Sequence, residues 1–143
     1  MIHTQNEKSF AILAPTDVAT NATTAATVDT IGFDVATIDI IADSTASTSN
    51  KLQTATLTES ATSNGTFATW TGSTATTFGN GNTSVPQVSD QFIVDTRARK
   101  RFLKVTLQMT AATNKLTVAG KLGRAEISAV AAANDGVGVR NVC

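Results

Sequence analysis

Between Arg97 and Leu122 the chain alternates. Leu103, Val105, Leu107 and Met109 are apolar at every second position, and Lys104, Thr106, Gln108 and Thr110 fill the gaps. A repeat of two is the period of a strand with one buried face and one wet face. An amphipathic helix needs apolar residues three and four apart instead. After a polar break at Thr113 and Asn114 the spacing resumes with Leu116, Val118 and Leu122, separated by Lys115, Thr117 and Lys121. Two alternating runs across a short Asn-containing loop predict an antiparallel hairpin at the centre of a β-sheet core.

Composition supports the same class. Threonine accounts for 26 of the 143 residues, charged residues for only 15%, and there are two prolines. Threonine is β-branched and favoured on a pleated surface. Soluble domains usually carry roughly 25% charged residues. A surface of Thr, Ala, Ser and Asn suits a protein that packs against others. The length fits one domain with a core large enough to need no disulfide or metal. Formal net charge is zero, so bulk charge favours neither nucleic acid nor an anionic membrane. No stretch approaches the roughly 20 apolar residues of a membrane helix. The lone cysteine, Cys143, has no internal partner. The polar N-terminus does not read as a signal peptide.

Taken in order, residues 1–27 read as an N-terminal arm and loop, with a short strand at Phe10–Leu13 stopped by Pro15. Residues 28–130 read as the sandwich domain. Gly32 marks a turn or bulge. Phe33–Ala42 reads as a strand whose apolar parity changes between Val35 and Ile38, predicting a bulge or burial on both faces. Asp43–Asn50 is a loop. Lys51–Ser60 and Thr66–Trp70 form strands around the Asn64-Gly65 turn. Gly72–Pro86 is a long loop, and Gln91–Thr96 a short strand. Arg124–Val130 forms a last strand around Ile127, and residues 131–143 an exposed tail. These elements predict an all-β fold: an antiparallel β-sandwich, jelly roll or barrel-like single domain with long loops and extended termini.

Signals for chemistry are sparse. A nucleophile triad needs a histidine base, and the only histidine is His3. Metal sites need several converging ligands, which the sequence does not supply. Asp29, Asp34, Asp39, Asp43 and Glu59 are scattered; Asp34 and Asp39 are an odd number apart and face opposite ways on a regular strand. The expectation is no enzyme, no catalytic residue, no metal and no cofactor. The one dense cluster of charge is Arg97, Arg99, Lys100 and Arg101. It reads as a contact for an acidic patch on a partner protein, as a contact for nucleic acid, for which four charges in a chain of zero net charge are few, or as a solvated strand entry whose arginine stems cover the core edge. Trp70 reads as core before ligand platform.

Three segments together carry a resemblance. Val28-Asp-Thr-Ile-Gly-Phe-Asp34 resembles an Ile-Asp-Thr-x-Gly-aromatic opening. Leu57-Thr-Glu-Ser60, followed by Asn64-Gly-Thr-Phe67, resembles a Leu-x-Glu-Ser hairpin ending in Gly-x-x-Phe. Arg101-Phe-Leu-Lys-Val-Thr-Leu107, followed by Leu116-Thr-Val-Ala-Gly-Lys-Leu-Gly123, resembles an Arg-aromatic-x-Arg-Val stretch followed by a Val-x-Ala-x-x-Leu-Gly ending. This order is similar to small virion-associated head proteins of tailed bacteriophages. An Asp-Asp-Gly turn that members often carry is replaced here by Ala61-Thr-Ser-Asn-Gly65. The resemblance implies a non-enzymatic capsid cement or decoration protein, localised to the virion after assembly in the host cytoplasm. Implied partners are the major capsid protein and other copies of the chain as a homo-oligomer. A tail or head–tail joining protein and a carbohydrate-binding sandwich are the alternatives.

Overall fold

The computed structural model describes residues 7–19, 21–42, 52–76, 88–109, 113–124 and 139–142. Nine strands run through them: β1 (Glu7–Val18), β2 (Thr23–Asp29), β3 (Val35–Ala42), β4 (Leu52–Ser60), β5 (Thr74–Thr76), β6 (Val88–Asp95), β7 (Phe102–Met109), β8 (Asn114–Gly123) and β9 (Val139–Val142). A 3-10 turn at Thr96–Ala98 is the one helical element among the described residues. One sheet has the order β1-β8-β3-β6-β9 and the other β2-β7-β4-β5. Neighbours are antiparallel except β6 and β9, which are parallel. The chain is thus the expected all-β, sandwich-like domain, and neither sheet closes into a barrel.

Both sheets contribute to one buried cluster. Ala36, Ile38, Ile40 and Ala42 of β3, Phe92 and Val94 of β6, and Leu116, Val118 and Leu122 of β8 come from the first sheet. Leu103, Val105, Leu107 and Met109 of β7, Ala55 and Leu57 of β4, and Val28 of β2 come from the second. Every one of these rows has the two-residue period that puts a side chain on the inner face.

The predicted central hairpin is replaced by something else. β7 pairs with β2 and β4, whereas β8 pairs with β1 and β3. The two strands belong to different sheets. Alternation states that each strand buries one face, but it does not state whether two such faces lie side by side or oppose each other. Here they lie in different sheets, and both apolar rows enter the one buried cluster. Both strands are interior to their sheets, which is why the strongest alternation falls on them.

Other expectations shift for identifiable reasons. Pro15 does not end the first strand. Among the described residues β1 pairs only with β8 and lies at an edge, where a missing N–H is tolerated. Its register slips twice, between Ala11 and Leu13 and between Leu13 and Thr16, and the second slip accommodates Pro15. Residues 23–27, read from sequence as part of an arm, join Val28 and Asp29 in β2. β3 shows no bulge: its pairings with β6 and β8 are regular, Ile38 and Ile40 point inward, and Val35 lies on the outer row. Thr66–Trp70 forms no strand, only a two-way bridge between Ala68 and Glu59. Within the expected loop Gly72–Pro86, Thr74–Thr76 adds a short strand to β4. Val139–Val142, expected in a tail, pairs with β6. The loop at Asp43–Asn50, the strand around Ile127, His3 and Cys143 lie outside the described residues.

Two glycines explain their turns differently. Gly32 has φ +81°, a left-handed conformation that favours glycine. The Asn64-Gly65 turn was expected to need the same freedom, but Gly65 has no positive φ. A Cβ at Gly65 would lie 2.4 Å from Thr62 Oγ1 and 2.5 Å from Ser60 Oγ, so close packing is what excludes a side chain there.

Candidate functional site

The basic turn closes one end of the sandwich, where β6 hands the chain to β7. Asp95 caps the 3-10 turn: its Oδ1 accepts the Arg97 backbone N–H at 3.1 Å and the Arg97 Nε–H at 2.9 Å. Arg97 Nη2 also donates to Asp95 Oδ2. The guanidinium beside it holds the Asp95 carboxyl down at about 2. This is a local cap made by neighbours two residues apart.

Arg101 is tied to the end of β2, the strand beside β7 in the same sheet. Its Nε and Nη2 donate to the two oxygens of Asp29 at 2.8 and 2.6 Å, a bidentate pair. Hydrogen bonding to Arg101 keeps the Asp29 carboxyl below its ordinary value. Asp29 Oδ1 also accepts the Ile31 N–H at 3.1 Å. Thr30 then donates both its N–H and its hydroxyl to the Arg101 carbonyl, at 3.0 and 2.7 Å. Thr96 donates its N–H to the Asp34 carbonyl and its hydroxyl to the Phe33 carbonyl. The β2–β3 turn and the basic turn are therefore sewn together through backbone groups that would otherwise be unpaired.

The remaining two cations are held differently. The Arg99 guanidinium lies 5.0 Å from the Trp70 ring centroid, a cation–π distance. Lys100 donates its backbone N–H to Glu59 Oε2 at 3.0 Å, while its side chain stays exposed. Among the described residues, neither Arg99 nor Lys100 forms a salt bridge. So the sequence cluster of four cations divides: Arg97 and Arg101 pair with Asp95 and Asp29, and Arg99 and Lys100 have no salt-bridge partner among the described residues.

Sequence reasoning located the four cations but not their partners, since Asp29 and Arg101 are 72 positions apart. It also missed Arg124, whose Nε donates to the Gly32 carbonyl at 3.0 Å, and Ile31, which is 60% exposed beside Asp29. Trp70 is half-buried against the core and lies under Arg99, in keeping with the core reading. Its Nε1 is buried without a partner among the described residues.

A second feature lies where the edge strands β1 and β2 come together. A cleft of about 210 Å³ opens between them, lined by Phe10, Ile12, Val28 and Leu122 and with Lys8 and Asp29 among its polar residues. Elsewhere, Asp90 of β6 points into the core. It is 1% exposed, and neither carboxylate oxygen has a partner among the described residues. Burial pushes its carboxyl up to about 7. No cluster of three or more His, Cys, Asp or Glu side chains capable of holding a metal occurs among the described residues.

No family model matches the chain, and no curated protein matches it. Among solved structures, it is similar to the SPBc2 prophage-derived protein YomS, with TM-score 0.46 and 14% identity over 82% of this chain and 92% of that one. It is also similar to part of BtGH115A, a family GH115 4-O-methyl-α-glucuronidase, with TM-score 0.43 and 10% identity over 85% of this chain and 17% of the enzyme. These likenesses are too distant to bear on function.

Proposed function

We propose that the protein is a non-enzymatic structural component of a tailed-phage virion that decorates and stabilises the capsid shell by binding the major capsid protein. One observation carries this reading. The segments that resemble virion head proteins meet at one end of the sandwich and bond to each other. Asp29 of the opening segment holds Arg101 of the last, Asp34 N–H donates to the Gly123 carbonyl at 3.0 Å, and Glu59 of the middle segment holds the Lys100 backbone. The residues that carry the resemblance thus serve a structural joint. Trp70, covered by Arg99, does not offer an open ring for a sugar to stack on, which favours the shell-binding reading over a carbohydrate-binding module.

A shell-binding protein of this kind uses charge without a carboxylate partner, which in the basic turn, among the described residues, is that of exposed Lys100 and of half-buried Arg99. Arg99 and Lys100 fit that role better than Arg97 and Arg101. The test is saturable binding of the purified chain to shells assembled from the capsid protein encoded in the same gene cluster. Occupancy should reach hundreds of copies per shell. Arg99→Gln with Lys100→Gln should weaken binding, most at low salt where exposed charges are least screened, and Arg97→Gln should weaken it less. Occupancy of about a dozen copies would assign the chain to a joining ring instead, and no binding would overturn the reading.

A further inference from the structure

Each of the two sheets has two edges, and edges are treated very unequally. β1 is broken by two register slips, contains Pro15, and carries Glu7, Lys8 and Asp17. β5 and β9 are three and four residues long. Charge, proline, bulges and brevity are the devices by which natural sheets keep an edge from pairing with another chain. β2 has none of them through Val28. It is seven residues long, in unbroken register with β7, without proline, glycine or lysine, and its one charge, Asp29, is its last residue and is engaged by Arg101.

The outward groups of this edge can be assigned. Met109 N–H donates to the Ala22 carbonyl and Thr30 N–H to the Arg101 carbonyl, at the two ends of the β2–β7 ladder. In an antiparallel ladder, residues alternate between directing both backbone groups toward the partner and both away. Ala22, Thr24, Ala26, Val28 and Thr30 therefore face β7. Thr23, Ala25, Thr27 and Asp29 direct their N–H and C=O groups away from it. Thr23, Ala25 and Thr27 are exposed. β1 passes nearby across the cleft, but no hydrogen bond joins β1 to β2 among the described residues.

We infer that β2 is the self-association edge of this protein, and that its partner is β2 of a second copy, paired antiparallel about a two-fold axis at Ala26. In that register Thr23 opposes Asp29 of the partner subunit and Ala25 opposes Thr27 of the partner subunit. No like charges meet, the Asp29 carboxylate gains a threonine hydroxyl as neighbour, and the facing side chains are the small and β-branched types that suit cross-strand pairs. The four-stranded sheet becomes a continuous eight-stranded one. The arrangement is isologous, as a two-fold contact requires, and the backbone ladder supplies the affinity, as in other strand-addition complexes. The inference deepens the homo-oligomer in the proposed function, but it stands or falls separately from capsid binding.

The experiment is sedimentation velocity over a wide concentration range on the full chain and on Ala25→Pro. Proline at 25 removes an outward donor without touching the β7 ladder, and edge strands tolerate it. The wild-type chain should dimerise, and Ala25→Pro should raise the dimer Kd about tenfold or more with an unchanged strand circular-dichroism spectrum. Should that variant unfold, the pair Ala25→Lys with Thr27→Lys replaces it. The lysine variant should be monomeric alone and should form a heterodimer when mixed with Ala25→Glu plus Thr27→Glu. A wild-type chain that stays monomeric, an association unaffected by these changes, or lysine and glutamate chains that do not recombine would each overturn the inference. Dimerisation through β2 without capsid binding would leave it intact and remove the proposed function alone.

Discussion

Strand β6 carries two aspartates five residues apart with opposite fates. Asp95, at its end, faces water and Arg97, and its carboxyl is held down at about 2. Asp90 sits in the inward row with Phe92 and Val94, lacks a partner among the described residues, and has its carboxyl pushed up to about 7. Same residue type, same strand: the row it occupies decides. A charged group beside solvent and a guanidinium is favoured in its ionised form, whereas one taken from water without compensation favours its neutral form. The turn end of the molecule tolerates many charges at little expense, whereas burial in the core disfavours the ionised form of Asp90.

The sharpest way to test that contrast is to weigh the row against its exception. Phe92→Ala, at a fully buried position, should destabilise the fold by about 3–5 kcal/mol in chemical denaturation. A loss below 1 kcal/mol would mean that the inward row of β6 is not a packed core.

Next in size comes the pH dependence of Asp90. Its folded-state carboxyl binds a proton more tightly than the unfolded chain, whose ordinary value is 3.8. The folded state is therefore favoured most at pH below 3.8, loses stability as pH rises from 3.8 to about 7, and changes little above that. Asp90→Asn should flatten this segment of the profile. The variant should match the wild type near pH 3 and exceed it by a few kcal/mol at pH 8. Identical profiles for the two chains would show that Asp90 reaches water or a partner.

The smallest effect belongs to the exposed end. Asp95→Ala should cost about 1 kcal/mol or less, because Asp95 and Arg97 are both more than a third exposed and their pairing is screened by solvent. The sign of its pH dependence is opposite to that of Asp90. The contribution is complete above 3.8 and is lost as pH falls toward about 2. Removing Asp29 from Arg101 should behave similarly in size. A loss of several kcal/mol at either site would erase the distinction between the two regions.

The same contrast explains what was legible in the residues. β3, β4, β7 and β8 announce themselves because Ile38, Leu57, Leu107 and Val118 are strongly apolar on a two-residue period. β2 does not, because its inward positions are Thr24, Ala26 and Val28, and only the last is distinctly apolar. Asp90 had a readable signal: it shares parity with Phe92 and Val94, so a polar residue stood in an apolar row. The cation cluster was visible as a string, but the carboxylate that engages Arg101, Asp29, lies 72 positions away on the neighbouring strand. Pairing of β7 with β8 was misjudged because periodicity reports the side a residue faces and not the layer it belongs to.

The pairing Glu7↔Gly123 at the start of β1 has a consequence during synthesis. Among the described residues, β1 finds its one sheet neighbour in β8, about a hundred residues later in the chain. At ribosomal speeds of about 5–20 residues per second, Phe10, Ile12 and Leu13 emerge roughly 5–20 s before the strand that covers them. For that interval the nascent chain trails an adhesive apolar ribbon, and its safe passage depends on whatever keeps it from its neighbours on the same message.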